Sequence, residues 1–122
     1  MNKPHKKLNV WSEAVDLAQQ IYRVTERFPS NEQFGLTSQI RRAAVSIPSN
    51  IAEGAARQTK KEFLNFLHIA KGSLSELDTQ LEIARRLEYL DQARWETLDE
   101  RLEGIDRMLS GLVRSLRSRN NP

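Results

Sequence analysis

The sequence of 122 residues contains no cysteine, and this absence removes a large set of functions. Without thiols there are no disulfides, no thiolate nucleophiles and no cysteine-ligated zinc or iron–sulfur sites. Five glycines and four prolines are too few for a loop-rich or disordered chain. No apolar run approaches the ~20 residues that a membrane span needs. We therefore expect a single soluble domain in the cytoplasm.

The side-chain groupings that catalysis requires are also missing from the sequence. His5 and His68 are the only two histidines, and they lie far apart in the chain with no Glu-x-x-His spacing near them. No glycine-rich loop of the Walker or dinucleotide type is present. The sequence therefore predicts no catalytic residues, no metal site and no cofactor, and an enzyme is the least favoured class of function.

What the sequence does contain is an uneven distribution of charge around a small net value of +3. Residues 1–61 carry ten Lys/Arg against five Asp/Glu, whereas residues 62–122 carry nine against eleven. We divide the chain into a basic tail at 1–9, a helical domain at 10–117 and a second tail at 118–122. Basic tails often contact polyanions, but they also simply keep proteins soluble. The basic residues of the two ends are Lys3, Lys6, Lys7, Arg114, Arg117 and Arg119.

Apolar residues recur in alternating steps of three and four in four segments, the pattern of amphipathic helices that pack together. The segments are 10–28, 36–55, 63–84 and 95–116. Ser12 is the predicted N-cap of the first helix, and Thr59 with Glu62 forms a capping box before the third. Four such helices with short connections predict an all-α, antiparallel up-down-up-down four-helix bundle.

Local features of these helices give further expectations. Pro48 lies inside the second segment and predicts a kink there, with Ser46, Ser49 and Asn50 satisfying freed backbone groups rather than acting in catalysis. Glycines inside the third and fourth helices cost stability, so we expect them to mark close approaches between helices. These glycines are Gly72, Gly104 and Gly111.

The middle of the chain resembles a known family. The residues that carry the likeness are Phe34-Gly35-Leu36, the run Gln39 to Gly54, then Phe63, Phe66-Leu67 and Gly72 to Leu77. They resemble the 23S rRNA intervening-sequence four-helix-bundle family, to which the accessory variability determinant proteins of diversity-generating retroelements are similar. The likeness in motifs extends from about Leu8 to Leu90, and the likeness in the pattern of apolar residues continues to about Leu116. Glu88 departs from it, because many relatives have a glycine there.

The resemblance implies a four-helix protomer that assembles into a ring, typically a homopentamer, with a basic surface that engages nucleic acid. In the retroelement branch it implies a non-enzymatic partner of a reverse transcriptase and its template RNA. Other relatives are encoded alone or inside ribosomal RNA insertions, so the family narrows the function without fixing it.

The candidate nucleic-acid site is the densest basic cluster of the predicted domain. Exposed Arg and Lys side chains are suited to phosphate contacts, although surface arginines also pair with carboxylates such as Glu53 or Glu62. The leading hypothesis is a non-catalytic, oligomeric accessory protein that uses this cluster and the basic tails to bind the phosphate backbone of RNA or DNA. The alternative is a protein-interaction scaffold without direct nucleic-acid contact. The candidate residues are Arg41, Arg42, Arg57, Lys60 and Lys61.

The third helix also carries apolar residues outside its core seam. A monomer would leave part of this second stripe in water, so we expect another subunit to cover it. The alternative is a core face that is merely wide. The predicted interface residues are Phe66, Ile69, Ile83, Leu87 and Leu90.

Overall fold

The computed structural model describes residues 1–118, and all the regular secondary structure in this part of the chain is helical, with no strand. Residues 119–122, which include Arg119 and all but the first residue of the predicted C-terminal tail, lie outside the described residues. The four helices are α1 (Asn9–Thr25), α2 (Leu36–Ala55), α3 (Lys60–Arg86) and α4 (Gln92–Ser118). Two short 3-10 helices precede α1 and α2, at Pro4–Lys7 and Ser30–Glu32.

The periodicity of the sequence locates the helices well, and the capping signals have mixed outcomes. Thr59 is confirmed as the N-cap of α3, because its hydroxyl accepts the Glu62 N–H at 3.2 Å. The reciprocal half of the capping box differs from the prediction, because the Glu62 carboxylate accepts from the Thr59 hydroxyl at 2.8 Å and not from the Thr59 N–H. The prediction that Ser12 caps α1 is wrong, because the helix already begins at Asn9. The predicted basic tail contains a 3-10 helix, Pro4–Lys7, that packs against α1 and α2.

The helices pack as expected for a four-helix bundle, with each helix against two others. α2 contacts α1 and α3, and α4 contacts α3 and α1. The a/d residues fill the centre, and Leu17, Ile47, Leu77 and Leu98 are all fully buried. The steps of three and four in the segment 95–116 place Leu112 at a core position. In the last turns of α4 this position shifts by one residue, because Val113 is buried and Leu112 is half-buried.

The pair α2 and α3 makes the most extensive helix–helix contact within residues 1–118, and small residues allow a close approach. A Cβ added to Gly54 of α2 would lie 2.7 Å from the Phe66 Cβ and 2.9 Å from the Phe63 Cδ1. Near the middle of the pair, the Ser46 and Ser73 hydroxyls are hydrogen-bonded at 2.9 Å. The Asn50 side chain donates to the Ser46 carbonyl at 2.8 Å. Ser46 and Asn50 are thus engaged in the protomer, and α2 runs continuously through the buried Pro48.

The glycines of α3 and α4 do not mark close helix approaches, so that expectation is wrong. A Cβ on Gly72 would have no neighbour within 4 Å. On Gly104 and Gly111 it would meet only the far ends of arginine side chains, at 4.0 and 3.9 Å. The tight contact lies instead at Gly54, where the neighbouring atoms belong to Phe63 and Phe66 of α3.

Glu88, the residue that departs from the family motif, occupies an unusual backbone conformation. Its φ is +65°, the left-handed region that favours glycine. The Tyr89 N–H donates to the Ala84 carbonyl at 2.9 Å, and the Glu88 N–H donates to the Arg85 carbonyl at 2.9 Å. This is the Schellman arrangement that ends a helix, with Glu88 at the position where glycine is commonest.

We therefore expect Glu88→Gly to stabilise the protein by about 1 kcal/mol. A residue with a Cβ is strained in the left-handed conformation, and glycine is not. Urea denaturation at a fixed protein concentration measures the change. Glu100→Gly is the matched control: Glu100 is exposed inside α4, so glycine there should destabilise by about 1 kcal/mol. Equal signs for the two substitutions would contradict this account of Glu88.

Candidate nucleic-acid interface

Arg41 is committed to contacts inside the protomer. Its Nε donates to the hydroxyl of buried Thr25 at 2.8 Å, and its Nη2 donates to the Tyr22 carbonyl at 3.3 Å. The guanidinium also lies over the Tyr22 ring, 4.6 Å from the centroid. A cation beside the last carbonyls of α1 is favoured by the helix dipole. Arg41 therefore ties α1 to α2, and we remove it from the candidate interface.

Arg42, the next residue, points away from these contacts and is exposed. It lines an open groove of about 530 Å³ between α2 and α3, together with Ser46, Ser73 and Glu76. The adjacent arginines thus have different roles, as the turn of about 100° between neighbouring residues of a helix allows. Arg42 stays a candidate for phosphate contact.

Arg57, Lys60 and Lys61 lie at the connection between α2 and α3, and all three are exposed. None of the five ion pairs formed within residues 1–118 includes any of them. The Arg57 guanidinium covers the ring of Phe66, 4.8 Å from its centroid. These three cations are available to an external anion.

The five candidate residues do not form one cluster in space. Arg42 lies in the first half of α2, and residues 42 and 55 are separated by about 20 Å of helix at about 1.5 Å per residue. Sequence proximity suggested a single basic patch, but the length of α2 carries Arg42 away from Arg57, Lys60 and Lys61. The α2–α3 connection therefore holds the main candidate site, with Arg42 outside it.

Other arginines at the far end of α3 are neutralised by carboxylates. Glu82 accepts hydrogen bonds from Arg85 at 2.7 Å and from Arg86 at 2.8 Å. These bonds lower the pKa of Glu82 to about 2 and keep it ionised. Arg85 also lies over the Trp95 ring, 4.6 Å from the centroid. Neither arginine is as available to an external anion as Arg57, Lys60 and Lys61.

The predicted interface residues fall into two groups. Ile69, Ile83 and Leu87 are exposed, with exposed fractions of 51%, 44% and 50%, and their spacing places them within about 40° of one another around α3. Phe66 is half-buried beneath Arg57. Assigning Leu90 to the interface was wrong, because it is 3% exposed and packs in the core of the protomer beyond the end of α3.

An acidic groove between α3 and α4 was missed by the sequence analysis. It has a volume of about 290 Å³ and is lined by Asp78, Asp99, Glu103 and Asp106. Partial burial and the neighbouring carboxylates of Asp99 and Glu82 raise the pKa of Asp78. These residues come from two helices whose registry is invisible in the sequence, so only their acidity could have drawn attention to them. Within residues 1–118 no group of three His, Asp or Glu side chains is placed to hold a metal ion.

The hydropathy of the helices is that of amphipathic segments. No helix in residues 1–118 is both long enough and apolar enough to cross a membrane.

Comparisons with known proteins match this chain to one family model and to solved structures. The family model described as 23S rRNA-intervening sequence protein matches residues 6–111. A crystal structure of a protein of unknown function from the S23 ribosomal protein family of Bacteroides thetaiotaomicron has a TM-score of 0.78 and 26% sequence identity. The match covers 84% of this chain and 96% of that chain. No curated protein matches the sequence. Because the family model spans most of the chain, this protein belongs to the 23S rRNA-intervening sequence protein family.

Proposed function

We propose that this protein is a non-catalytic, oligomeric accessory protein that binds the phosphate backbone of RNA or DNA in the cytoplasm. The observation that carries the proposal is the group of Arg57, Lys60 and Lys61, three exposed cations within five residues that make no ion pair in residues 1–118. Cations in this state bind phosphates by charge and by hydrogen bonds, and they carry no sequence information.

The proposed protomer is an antiparallel up-down-up-down bundle. Three pairs of residues support opposite directions for α3 and α4. As the residue number rises along α3, the residue number of the partner on α4 falls. The pairs are His68 with Arg117 (3.2 Å), Lys71 with Asp106 (3.8 Å) and Arg85 with the Trp95 ring (4.6 Å). A kink at Pro48, which lacks the N–H that an uninterrupted helix requires, belongs to the same proposal.

The proposed assembly is a ring-like homo-oligomer of these protomers, a pentamer by resemblance to relatives. Exposed Ile69, Ile83 and Leu87 support an interface on the outer side of α3. By the same resemblance, the protein partner would be a reverse transcriptase, if the gene belongs to a diversity-generating retroelement.

The test is binding to a labelled structured RNA and to duplex DNA between about 50 and 200 mM salt, plotted as log K against log salt concentration. We expect a slope equivalent to several phosphates in both cases, with little dependence on base sequence. Poly-glutamate serves as the control polyanion. Absence of nucleic-acid binding at low salt would overturn the proposal, and tight binding of poly-glutamate alone would favour the scaffold that docks acidic proteins.

A further inference from the structure

Three stretches of the chain carry cations and no carboxylate. They are residues 1–8, the connection 55–61, and residues 110–118 at the end of α4. All eight of their Lys and Arg side chains are exposed, and none takes part in an ion pair within residues 1–118. The eight residues are Lys3, Lys6, Lys7, Arg57, Lys60, Lys61, Arg114 and Arg117.

The contacts of α4 bring its last turns to the start of α3. Arg117 Nη2 lies 3.2 Å from His68 Nε2. His68 is about 12 Å along α3 from Lys60, at about 1.5 Å per residue. The cations of the α4 terminus and of the α2–α3 connection therefore lie at the same end of the two helices.

The N-terminal segment lies at the same end of the bundle, as the contacts between α1 and α2 indicate. Arg41 of α2 contacts Thr25, the last residue of α1, so the start of α2 lies beside the end of α1. The 3-10 helix Pro4–Lys7 lies at the opposite end of α1 and also packs against α2. That contact places it beside the later part of α2, which leads to Arg57. The His5 ring packs edge-on against Trp11, with centroids 4.9 Å apart, and fixes the segment on α1.

The connections at the opposite end of the bundle are rich in carboxylates. Its two connections contain Glu26, Glu32, Glu88 and Asp91, with Arg27 as the only cation. Glu32 is held there by the Tyr89 hydroxyl, which donates to its carboxylate at 3.0 Å. The connections of this end are thus net acidic, whereas the segments that carry cations without carboxylates lie at the other end.

From this arrangement we infer that three segments distant in sequence form one phosphate-binding surface at a single end of the bundle. The ligand is the backbone of a nucleic acid, RNA or DNA, approached end-on by the bundle. The inference rests on the proposed function and deepens it: the N-terminal segment and the α4 terminus belong to the site, which extends beyond the α2–α3 connection.

The experiment compares three double variants of the full chain, each removing two charges from one segment. They are Lys6→Gln/Lys7→Gln, Lys60→Gln/Lys61→Gln and Arg114→Gln/Arg117→Gln. The matched control is Arg23→Gln/Arg27→Gln, which removes two exposed cations near the other end of α1. Each protein is titrated with the same structured RNA and the same duplex DNA, and circular dichroism verifies that each variant is folded.

Removing one cation that binds a phosphate should reduce the salt slope by about 1, so each double variant should lower it by about 2 on either nucleic acid. The control should keep the wild-type slope. If only Lys60→Gln/Lys61→Gln changes the slope, the site is confined to the connection and the inference is wrong. Equal decreases in all four variants, control included, would overturn it in favour of attraction by net charge. If the wild-type protein binds neither nucleic acid, the proposed function itself fails.

Discussion

Gly54→Ala is expected to destabilise the protein by about 1–3 kcal/mol, although alanine is the better helix former. The added methyl group would lie 2.7 Å from the Phe66 Cβ and 3.3 Å from the Phe63 carbonyl oxygen. Neither atom is the free end of a flexible side chain, so α2 and α3 must move apart. That movement disturbs the contact between α2 and α3, including the hydrogen bond between Ser46 and Ser73.

Gly72→Ala is the matched control and should have the opposite sign. Gly72 lies inside α3, is exposed, and has no atom within 4 Å of the position a Cβ would take. Alanine there should stabilise by about 1 kcal/mol through helix propensity alone. Denaturant unfolding of both variants at one protein concentration gives the comparison, because the proposed assembly would make stability depend on concentration. A stabilised Gly54→Ala would show that the two helices are not in tight contact at this point.

Ile69→Glu/Ile83→Glu is expected to abolish self-association. The two side chains lie on one face of α3, about half-exposed in the protomer, so assembly through this face would bury both. An unpaired carboxylate buried against apolar surface is strongly unfavourable. Light scattering coupled to size exclusion should give a multiple of 14.1 kDa for the wild type and 14.1 kDa for the variant.

The control for self-association is Val15→Glu/Phe34→Glu. These residues are also exposed and apolar, 39% and 91% exposed, but they lie on α1 and in the α1–α2 connection. This variant should assemble like the wild type, and both variants should keep the helical content of the protomer. A monomeric wild type at tens of micromolar, or an assembled Ile69→Glu/Ile83→Glu variant, would contradict the proposed interface.

The helices were predictable because their signals are local. The steps of three and four place the apolar residues of each helix on one side. The Thr59 hydroxyl satisfies the Glu62 N–H within a single turn, so this cap does not depend on the rest of the fold. The left-handed backbone at Glu88 was not predicted, although the resemblance, in which glycine is expected at this position, is consistent with it.

The roles of individual side chains were harder to predict, because they depend on contacts between helices. Arg41 and Arg42 are adjacent and chemically alike. Arg41 is structural because Thr25, at the end of α1, lies within its reach, whereas Arg42 is exposed. Leu90 follows the same apolar pattern as Leu87, but the chain turns between them and carries Leu90 into the core. The glycines show the same limit: Gly54 is tightly packed and Gly72 is not, and their sequence surroundings do not distinguish them.

The concentration of cations at one end of the bundle has a consequence for avidity. In any closed ring generated by rotation about a single axis, equivalent parts of all protomers lie on the same side of the ring. The basic ends would then share one rim, and a nucleic acid held by one protomer would be presented to the next at a high effective concentration. Weak sites of a few phosphates each would act together on a long strand, while short oligonucleotides that reach a single protomer would dissociate quickly.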